Sequence, residues 1–227
     1  MVELLELLDV RLRTMWCHDD RGRITAENRP GGEPAPRLVV SRSPAGAIWR
    51  VGPDVTDSQV EQLDALLSAD DAWHLVAPTN LDAILAVLGG GEIGGGPNFR
   101  PGASSPEPAG ETVLVSAANQ HVLRRYMDDW LVDIGTGDPV VAALSGADAV
   151  AVCASARVGA VVHEAGVETH PDHRGAGHGL AAVVAWRCAV DRLGAVPMYC
   201  TWWSNAASQR LARAAGFEHY ATDLYVR

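Results

Sequence analysis

The chain has 227 residues, of which 48% are apolar, and its formal net charge is −10. This length suffices for one large domain or two small ones, and the apolar content can fill a packed core, so disorder over the whole chain is excluded. All 18 basic residues are arginines, which excludes chemistry that needs a lysine, such as Schiff-base formation, pyridoxal phosphate catalysis and Walker-type nucleotide hydrolysis.

The acidic residues outnumber the basic ones by 28 to 18, which favours a cationic ligand and predicts no nucleic-acid partner. The four cysteines lack the spacing of a zinc site or a disulfide framework, so we expect reduced thiols and no metal. The N-terminus is acidic where a signal peptide is basic, and no apolar run reaches the ~20 residues of a membrane span. We therefore expect a soluble cytoplasmic protein without a membrane partner, and the sequence leaves its oligomeric state open.

Residues 1–88 have the pattern of a small α+β unit of unknown role. Apolar side chains recur first at helical spacing and then in two short runs separated by a turn. Asp57 and Asn80 are residue types that begin helices. In chain order we predict an amphipathic helix over 2–16, a hairpin from the runs 38–40 and 47–49, and helices that start at Asp57 and at 78–80.

Residues 89–110 are rich in glycine and proline, a composition that disfavours both helix and strand. The glycine triplets at 89–91 and 94–96 would suit a phosphate loop, but no strand of useful length precedes them and no lysine follows. We therefore predict a flexible linker and place a domain boundary here.

Residues 111–227 are more regular and predict an α/β domain with a mixed sheet. The predicted elements are a strand at 112–115, a helix around 119–134, strands at 140–144, 150–156 and 160–169, a helix over 179–191, a strand at 196–202, a helix over 206–215 and a hairpin-like piece at 217–225. Glycines at 194 and 216 provide the two helix stops.

The segment Val167–Leu180 joins a strand to a helix through a glycine-rich turn that includes Arg174. Successive backbone N–H groups converge at such a turn, and the helix start adds about half a positive charge, so the turn suits a pyrophosphate. A dinucleotide fingerprint needs a third glycine where this chain has Leu180, so that interpretation fails.

Residues 174–179 match the pattern R/Q-x-x-G-x-G/A. With Asn205–Ser208 and Gly216–Phe217 following in the same order, the second half resembles the GNAT superfamily of N-acetyltransferases. The resemblance implies a GNAT-like mixed central sheet with flanking helices, preceded here by the smaller α+β unit. It also implies transfer of an acetyl group from acetyl-CoA to a primary amine, with direct attack on the thioester and an amine-bearing small molecule as acceptor.

The same resemblance implies which residues hold acetyl-CoA. The strand before the motif would offer backbone groups to the pantetheine arm, the turn would hold the pyrophosphate, and an asparagine would bond near the thioester. The implied cofactor-binding residues are Val167, Glu168, Thr169, Arg174, Gly175, Ala176, Gly177, His178, Gly179, Asn205 and Ser208.

Transfer to an alkyl amine needs a proton acceptor, because such an amine is protonated at neutral pH. Glu164 and Glu168 lie four apart on one strand and therefore share a face. Either could take the proton or bind the ammonium, and solvated strand carboxylates remain the alternative. His163 and His170 are candidate relays, although His170 precedes Pro171 and has the place of a structural residue.

The proton donor to the leaving thiolate is left open, because the family's usual tyrosine position is occupied by Ala212. The candidate substitutes are Ser208, Tyr199, Tyr220 and Tyr225, and we take Ser208 with Glu164 and Glu168 as the catalytic set. Two weaker hypotheses concern an acceptor wall at Trp202 and Trp203 and a nucleophile cluster at 17–20.

Two other functions remain from the sequence. The missing tyrosine favours a non-catalytic acyl-CoA-binding or regulatory module on the same fold, and a nucleotide-binding module is disfavoured by the failed fingerprint and the absence of lysine. The N-terminal unit could cover the acceptor site or be a degenerate copy of the second half.

Overall fold

The computed structural model of the protein describes residues 3–67, 73–104 and 106–227. It is a mixed α/β fold with a mostly antiparallel sheet flanked by helices. The α-helices are α1 (Leu4–Met15), α2 (Asp57–Leu67), α3 (Leu81–Leu88), α4 (His178–Arg192) and α5 (Ala206–Ala214). The strands are β1 (Trp16–His18), β2 (Ile24–Glu27), β3 (Leu38–Ser43), β4 (Gly46–Val51), β5 (Ile93–Pro101), β6 (Thr112–Val115), β7 (Val140–Ser145), β8 (Asp148–Val158), β9 (Val162–Thr169), β10 (Val196–Cys200) and β11 (Phe217–Val226). Short 3₁₀ helices cover Gln120–Leu123, Asp128–Asp133 and Pro171–His173.

The described residues divide into two compact units. The first contains Met1–Phe99, Cys200–Ala206 and His219–Arg227, and the second contains Arg100–Tyr199 and Ala207–Glu218. Two C-terminal segments thus belong to the first unit, a division different from the one drawn from composition. None of the helices in the described ranges has the length and apolar character needed to cross a bilayer.

In the first unit the strand order is β4-β3-β11-β5, with β1 and β2 forming a separate antiparallel pair. Its main core lies between the β3–β4 hairpin, the end of β11 and helices α2 and α3, and includes Leu38, Val40, Leu63, Ile84 and Leu224. The predicted helix at 2–16, the predicted hairpin and the two predicted helices after it are all confirmed as α1, β3–β4, α2 and α3.

A buried ion pair ties α1 to β11 within the first unit. Arg11 Nη1 donates to Asp223 Oδ2 over 2.9 Å, and the two side chains are only 1% and 2% exposed. Ser41 and Tyr225 also donate hydroxyl hydrogens to the Asp223 carboxylate. The buried charge therefore has both a counter-ion and hydrogen-bond donors, which burial of an ionised group requires.

The prediction that residues 89–110 form no strand is wrong at 93–101, which form β5. Glycine is needed there for space. A Cβ at Gly96 would lie 1.7 Å from the Thr201 carbonyl oxygen, and one at Gly95 would lie 2.1 Å from that of Asp223. Real Cβ atoms do not approach a carbonyl so closely, so these glycines allow two backbones to pack side by side.

In the second unit the strand order is β10-β9-β8-β7-β6. β6 to β9 pair antiparallel, whereas β9 and β10 are parallel. Helix α4 packs on this sheet through a buried stripe that includes Ala182, Val183, Trp186 and Val190. Most of the strands and helices predicted for this half are confirmed, and two predictions are wrong: the predicted helix at 119–134 is a pair of 3₁₀ helices, and 217–225 lies in one continuous strand.

Candidate active site

The glycine-rich turn before α4 has backbone amides that donate to no protein group in the described chain. Gly175 and Gly177 have φ values of 79° and 88°, a left-handed conformation that favours glycine. The first bond of α4 runs from the Ala181 N–H to the Gly177 carbonyl over 3.0 Å. Within the described chain no protein group accepts from the amides of 175–180, and 174–177 are exposed. The turn thus has the N–H donors and the helix polarity of an anion site.

Gly179 allows a close approach where α4 begins, because the helix start packs against the end of β9. A Cβ at this position would lie 2.7 Å from Thr169 Oγ1 and 3.8 Å from a methyl group of Leu211. Arg174 donates from Nε to the Thr169 carbonyl over 3.2 Å. These contacts bring the strand end, the turn and the second turn of α5 together, so Thr169, Arg174 and Gly179 lie in one site.

The strands β9 and β10 separate next to this turn. Their pairing covers 162–164 on β9 and 196–198 on β10. β9 nevertheless continues to Thr169, paired on its other edge with β8. Over residues 165–169, which include Val167, the backbone edge towards β10 therefore has no strand partner in the described chain. Such an edge can hydrogen-bond an extended ligand in the way that another strand would.

Glu164 and Glu168 share one face of β9, as alternation requires, but their environments differ. Glu164 is only 2% exposed, whereas Glu168 is exposed. Trp130, in the second 3₁₀ helix, donates its indole N–H to Glu168 Oε2 over 2.8 Å. Trp130 was not predictable as a site residue, since nothing in the spacing of an α-helix over 119–134 singles it out.

The comparisons with known proteins concern structure. No family model matches the sequence, and no curated protein does either. The chain is similar to a solved GCN5-related N-acetyltransferase from Kribbella flavida, with 18% identity over 100% of this chain and 95% of the other and a TM-score of 0.54. It is also similar to a GNAT-family acetyltransferase from Colwellia psychrerythraea, with 13% identity, coverage of 79% and 76% and a TM-score of 0.51. A third, a GCN5-related N-acetyltransferase from Sphaerobacter thermophilus, has 16% identity, coverage of 89% and 79% and a TM-score of 0.50.

The chain has the GNAT fold. Identities this low establish the fold alone, so the roles of individual residues depend on the geometry of this chain. Ala212, the position at which the sequence resemblance implies a tyrosine, is fully buried in α5. The structure pairs two of the candidate substitutes instead, because Tyr199 Oη and Ser208 Oγ are 2.7 Å apart.

The other candidate proton donors, Tyr220 and Tyr225, lie in the first unit. Tyr225 donates to Asp223 Oδ2 over 2.8 Å, and burial together with the charge of Asp223 raises the pKa of Tyr225 well above its usual value. A raised pKa makes a phenol a weaker acid, which counts against this role. Tyr220 is 3% exposed. Asn205 also falls in the first unit, where its N–H donates to the Trp202 carbonyl over 3.0 Å.

The two weaker hypotheses have different outcomes. Trp202 and Trp203 do differ in burial. Trp202 is 54% exposed, and its ring lies next to Gly94, whereas Trp203 is half-buried and its ring contacts His219. In the segment 17–20, the Cys17 thiol lies against Glu27 and Asn28, and Asp19 caps its own turn by accepting from two backbone N–H groups. This segment therefore has the contacts of a turn, and the contacts of the Cys17 thiol are with Glu27 and Asn28 and not with the His18 ring. Among the described residues, no group of three or more His, Cys, Asp and Glu could hold a metal ion.

His163 belongs to a buried network behind β9. Its Nδ1 lies 2.9 Å from Ser155 Oγ, which accepts the Trp186 indole N–H over 3.1 Å. Burial lowers the pKa of His163 below its ordinary 6.5. The network suits a neutral ring whose Nδ1 accepts the Ser155 hydroxyl, so His163 has the surroundings of a structural residue.

We expect this histidine to make the protein less stable in mild acid. Because its folded-state pKa lies below the unfolded value of 6.5, the unfolded chain binds more protons below that pH, and stability present above pH 6.5 is lost as the pH falls. The free energy of unfolding by urea should thus fall between pH 7 and 5.5, and less steeply in His163→Gln. His121→Gln, at an exposed position, should keep the wild-type slope. An unchanged slope in His163→Gln would contradict this assignment.

Proposed function

We propose that the protein transfers an acetyl group from acetyl-CoA to a primary amine. The observation that carries the proposal is the juxtaposition of two sets of backbone groups in the described chain: the amides at 175–180, which have no protein acceptor, and the edge of β9 at 165–169, which has no strand partner. A diphosphate on the turn and a pantetheine arm along the strand edge would be held by backbone groups of one continuous segment. The GNAT fold, which three solved acetyltransferases share, supports acyl transfer as the reaction class.

The net charge of −10 opposes the approach of anionic coenzyme A. Charges farther away than about 8–10 Å are screened at physiological salt, whereas hydrogen bonds from the turn act at contact. Arg174 adds a guanidinium next to the turn, with its Nε held by the Thr169 carbonyl. The N–H groups of the turn and the Arg174 guanidinium therefore determine the binding of acetyl-CoA. The acidic surface favours the cationic amine acceptor.

The reaction needs a free amine. An alkyl ammonium has a pKa of ~10.4, so its deprotonation at neutral pH costs on the order of 4–5 kcal/mol. In the proposed step the proton passes to Glu168, directly or through water, and the amine nitrogen attacks the thioester carbonyl carbon. Backbone N–H groups on the free edge of β9 stabilise the oxyanion. As the C–S bond breaks, the nitrogen of the tetrahedral intermediate loses its second proton, and the Tyr199–Ser208 pair relays that proton to the thiolate.

Glu168 is the better base of the two acidic residues because it is exposed, so a substrate or a water can reach it. Glu164 is 2% exposed, so a substrate cannot reach it directly. We assign it to electrostatic attraction of the ammonium from a buried position. One observation favours a second function: buried Ala212 in place of the family's tyrosine is what a non-catalytic acyl-CoA-binding module would tolerate.

Thiol release from acetyl-CoA in the presence of a panel of primary amines distinguishes the two functions. We expect turnover by the wild type and a loss of about 10²-fold in kcat for Glu168→Gln, the usual scale for removing a general base. Glu61→Gln, at an exposed position on α2, is the matched control and should keep full activity. Binding of acetyl-CoA without product from any amine would instead favour the binding module.

A further inference from the structure

Trp130 occupies an unusual position, with its indole lying across the face of β9 that holds the two acidic residues. Its Nε1 donates to Glu168 Oε2 over 2.8 Å. The other carboxylate oxygen, Oε1, accepts no hydrogen bond from the described part of the protein. Because the indole nitrogen of Trp130 can only donate, Glu168 Oε2 is the acceptor in this contact.

The strand leaves room for this ring at Gly166, midway between Glu164 and Glu168. A Cβ there would lie 3.3 Å from Trp130 Cη2 and 3.0 Å from the Ala156 Cβ. Ala156 is the extra residue where the β8–β9 register shifts between Ser155 and Arg157. The bulge and the missing side chain together let the indole lie close to the strand backbone.

The Trp130 ring also packs against the core of the second unit. Trp130 is half-buried and packs on the core cluster that contains Val122, Leu123 and Met127. Its backbone N–H donates to the Met127 carbonyl over 3.1 Å. An exposed glutamate on a strand normally samples several rotamers, whereas this one is bonded to a donor whose own ring is fixed by packing.

We propose that Trp130 is a positioning residue for Glu168, which it orients so that Oε1 faces an ammonium acceptor. The inference rests on the proposed function and adds to it the residue that sets the orientation of the base. Trp130 acts through Glu168 and touches neither acetyl-CoA nor the thioester. Its substitution therefore changes the amine-dependent step and leaves donor binding as it was.

The test compares Trp130→Phe, Glu168→Gln and the double variant. Phe keeps a ring over Gly166 and removes only the N–H donor. We expect Trp130→Phe to lower kcat/KM for the amine about tenfold, with the KM for acetyl-CoA unchanged. The double variant should be no slower than Glu168→Gln alone, because the two residues act as a unit. Trp49→Phe, at a half-buried tryptophan of the first unit, is the matched control and should resemble the wild type.

Two further measurements test the contact between Trp130 and Glu168. The indole ¹H–¹⁵N resonance of Trp130 should shift in Glu168→Gln. Gly166→Ala, whose Cβ would crowd the ring at 3.3 Å, should lower kcat/KM for the amine in the same direction as Trp130→Phe but by less. Wild-type amine turnover with an unimpaired Trp130→Phe, or with additive losses in the double variant, overturns the inference and leaves the proposed function intact. A wild type that acetylates no amine overturns the proposed function itself, and the inference with it.

Discussion

Ala176→Asp should leave the protein folded and reduce its affinity for acetyl-CoA about a hundredfold. Ala176 is exposed in the turn before α4, among the amides proposed to bind the diphosphate. Like charges ~4 Å apart near a protein surface repel by about 4 kcal/mol, and screening at an exposed site reduces this to about 2–3 kcal/mol. That loss corresponds to roughly two orders of magnitude in Kd, which calorimetric titration measures directly.

The same substitution should not destabilise the free protein. An aspartate near a helix N-terminus interacts favourably with the helix dipole, by about 0.3–1 kcal/mol. The free energy of unfolding should therefore be unchanged or slightly raised while donor binding is lost. Ala176→Asn, of nearly the same size but neutral, is the control and should lose much less affinity. Equal losses in both variants would indicate a steric effect and contradict the electrostatic account of the turn.

The largest effect on stability is expected at the buried ion pair of the first unit. Arg11→Met keeps an unbranched apolar stem on α1 but leaves the Asp223 charge, 2% exposed, without its counter-ion. Removing one partner of such a pair costs about 3–5 kcal/mol. We expect a loss of that size in the free energy of unfolding measured with urea.

The matched control lies two residues further along α1. Arg13 forms an exposed pair with Asp9, and its side chain is 67% exposed. Arg13→Met should therefore cost under about 1 kcal/mol. Adding Asp223→Asn to Arg11→Met should recover part of the loss, since the amide keeps hydrogen-bonding capacity and no unpaired charge remains. Equal effects of Arg11→Met and Arg13→Met would show that burial does not matter at this pair.

Elements of this fold were predictable from sequence where their signals are local. The hairpin at β3–β4 and the helices α1 to α4 follow from apolar periodicity and from residues that begin or end helices. β5 was not predictable, because its glycines are dictated by how closely two backbones approach, which composition does not encode. The pattern of the segment 119–134 predicts an α-helix, but the segment forms two 3₁₀ helices, and the second of them places Trp130 over β9.

The candidate site divides in the same way. The turn at 174–179 is one contiguous segment, so its glycines and Arg174 were visible as a motif. Gly175 and Gly177 adopt the left-handed conformation that favours glycine. Contacts between distant segments were not visible. Trp130 meets Glu168 across 38 positions, and Tyr199 meets Ser208 only because β10 packs beside α5. The sequence provided the residue types for these pairs, but only tertiary packing selects the partners.

The amide resonances of residues 175–180 test the central claim most directly. Titration of acetyl-CoA into ¹⁵N-labelled protein should shift these ¹H–¹⁵N signals selectively and downfield, as expected for N–H groups that donate to phosphate oxygens. Signals from helix α2, in the first unit, should stay in place. Saturating acetyl-CoA that leaves the signals of 175–180 unmoved would contradict the account.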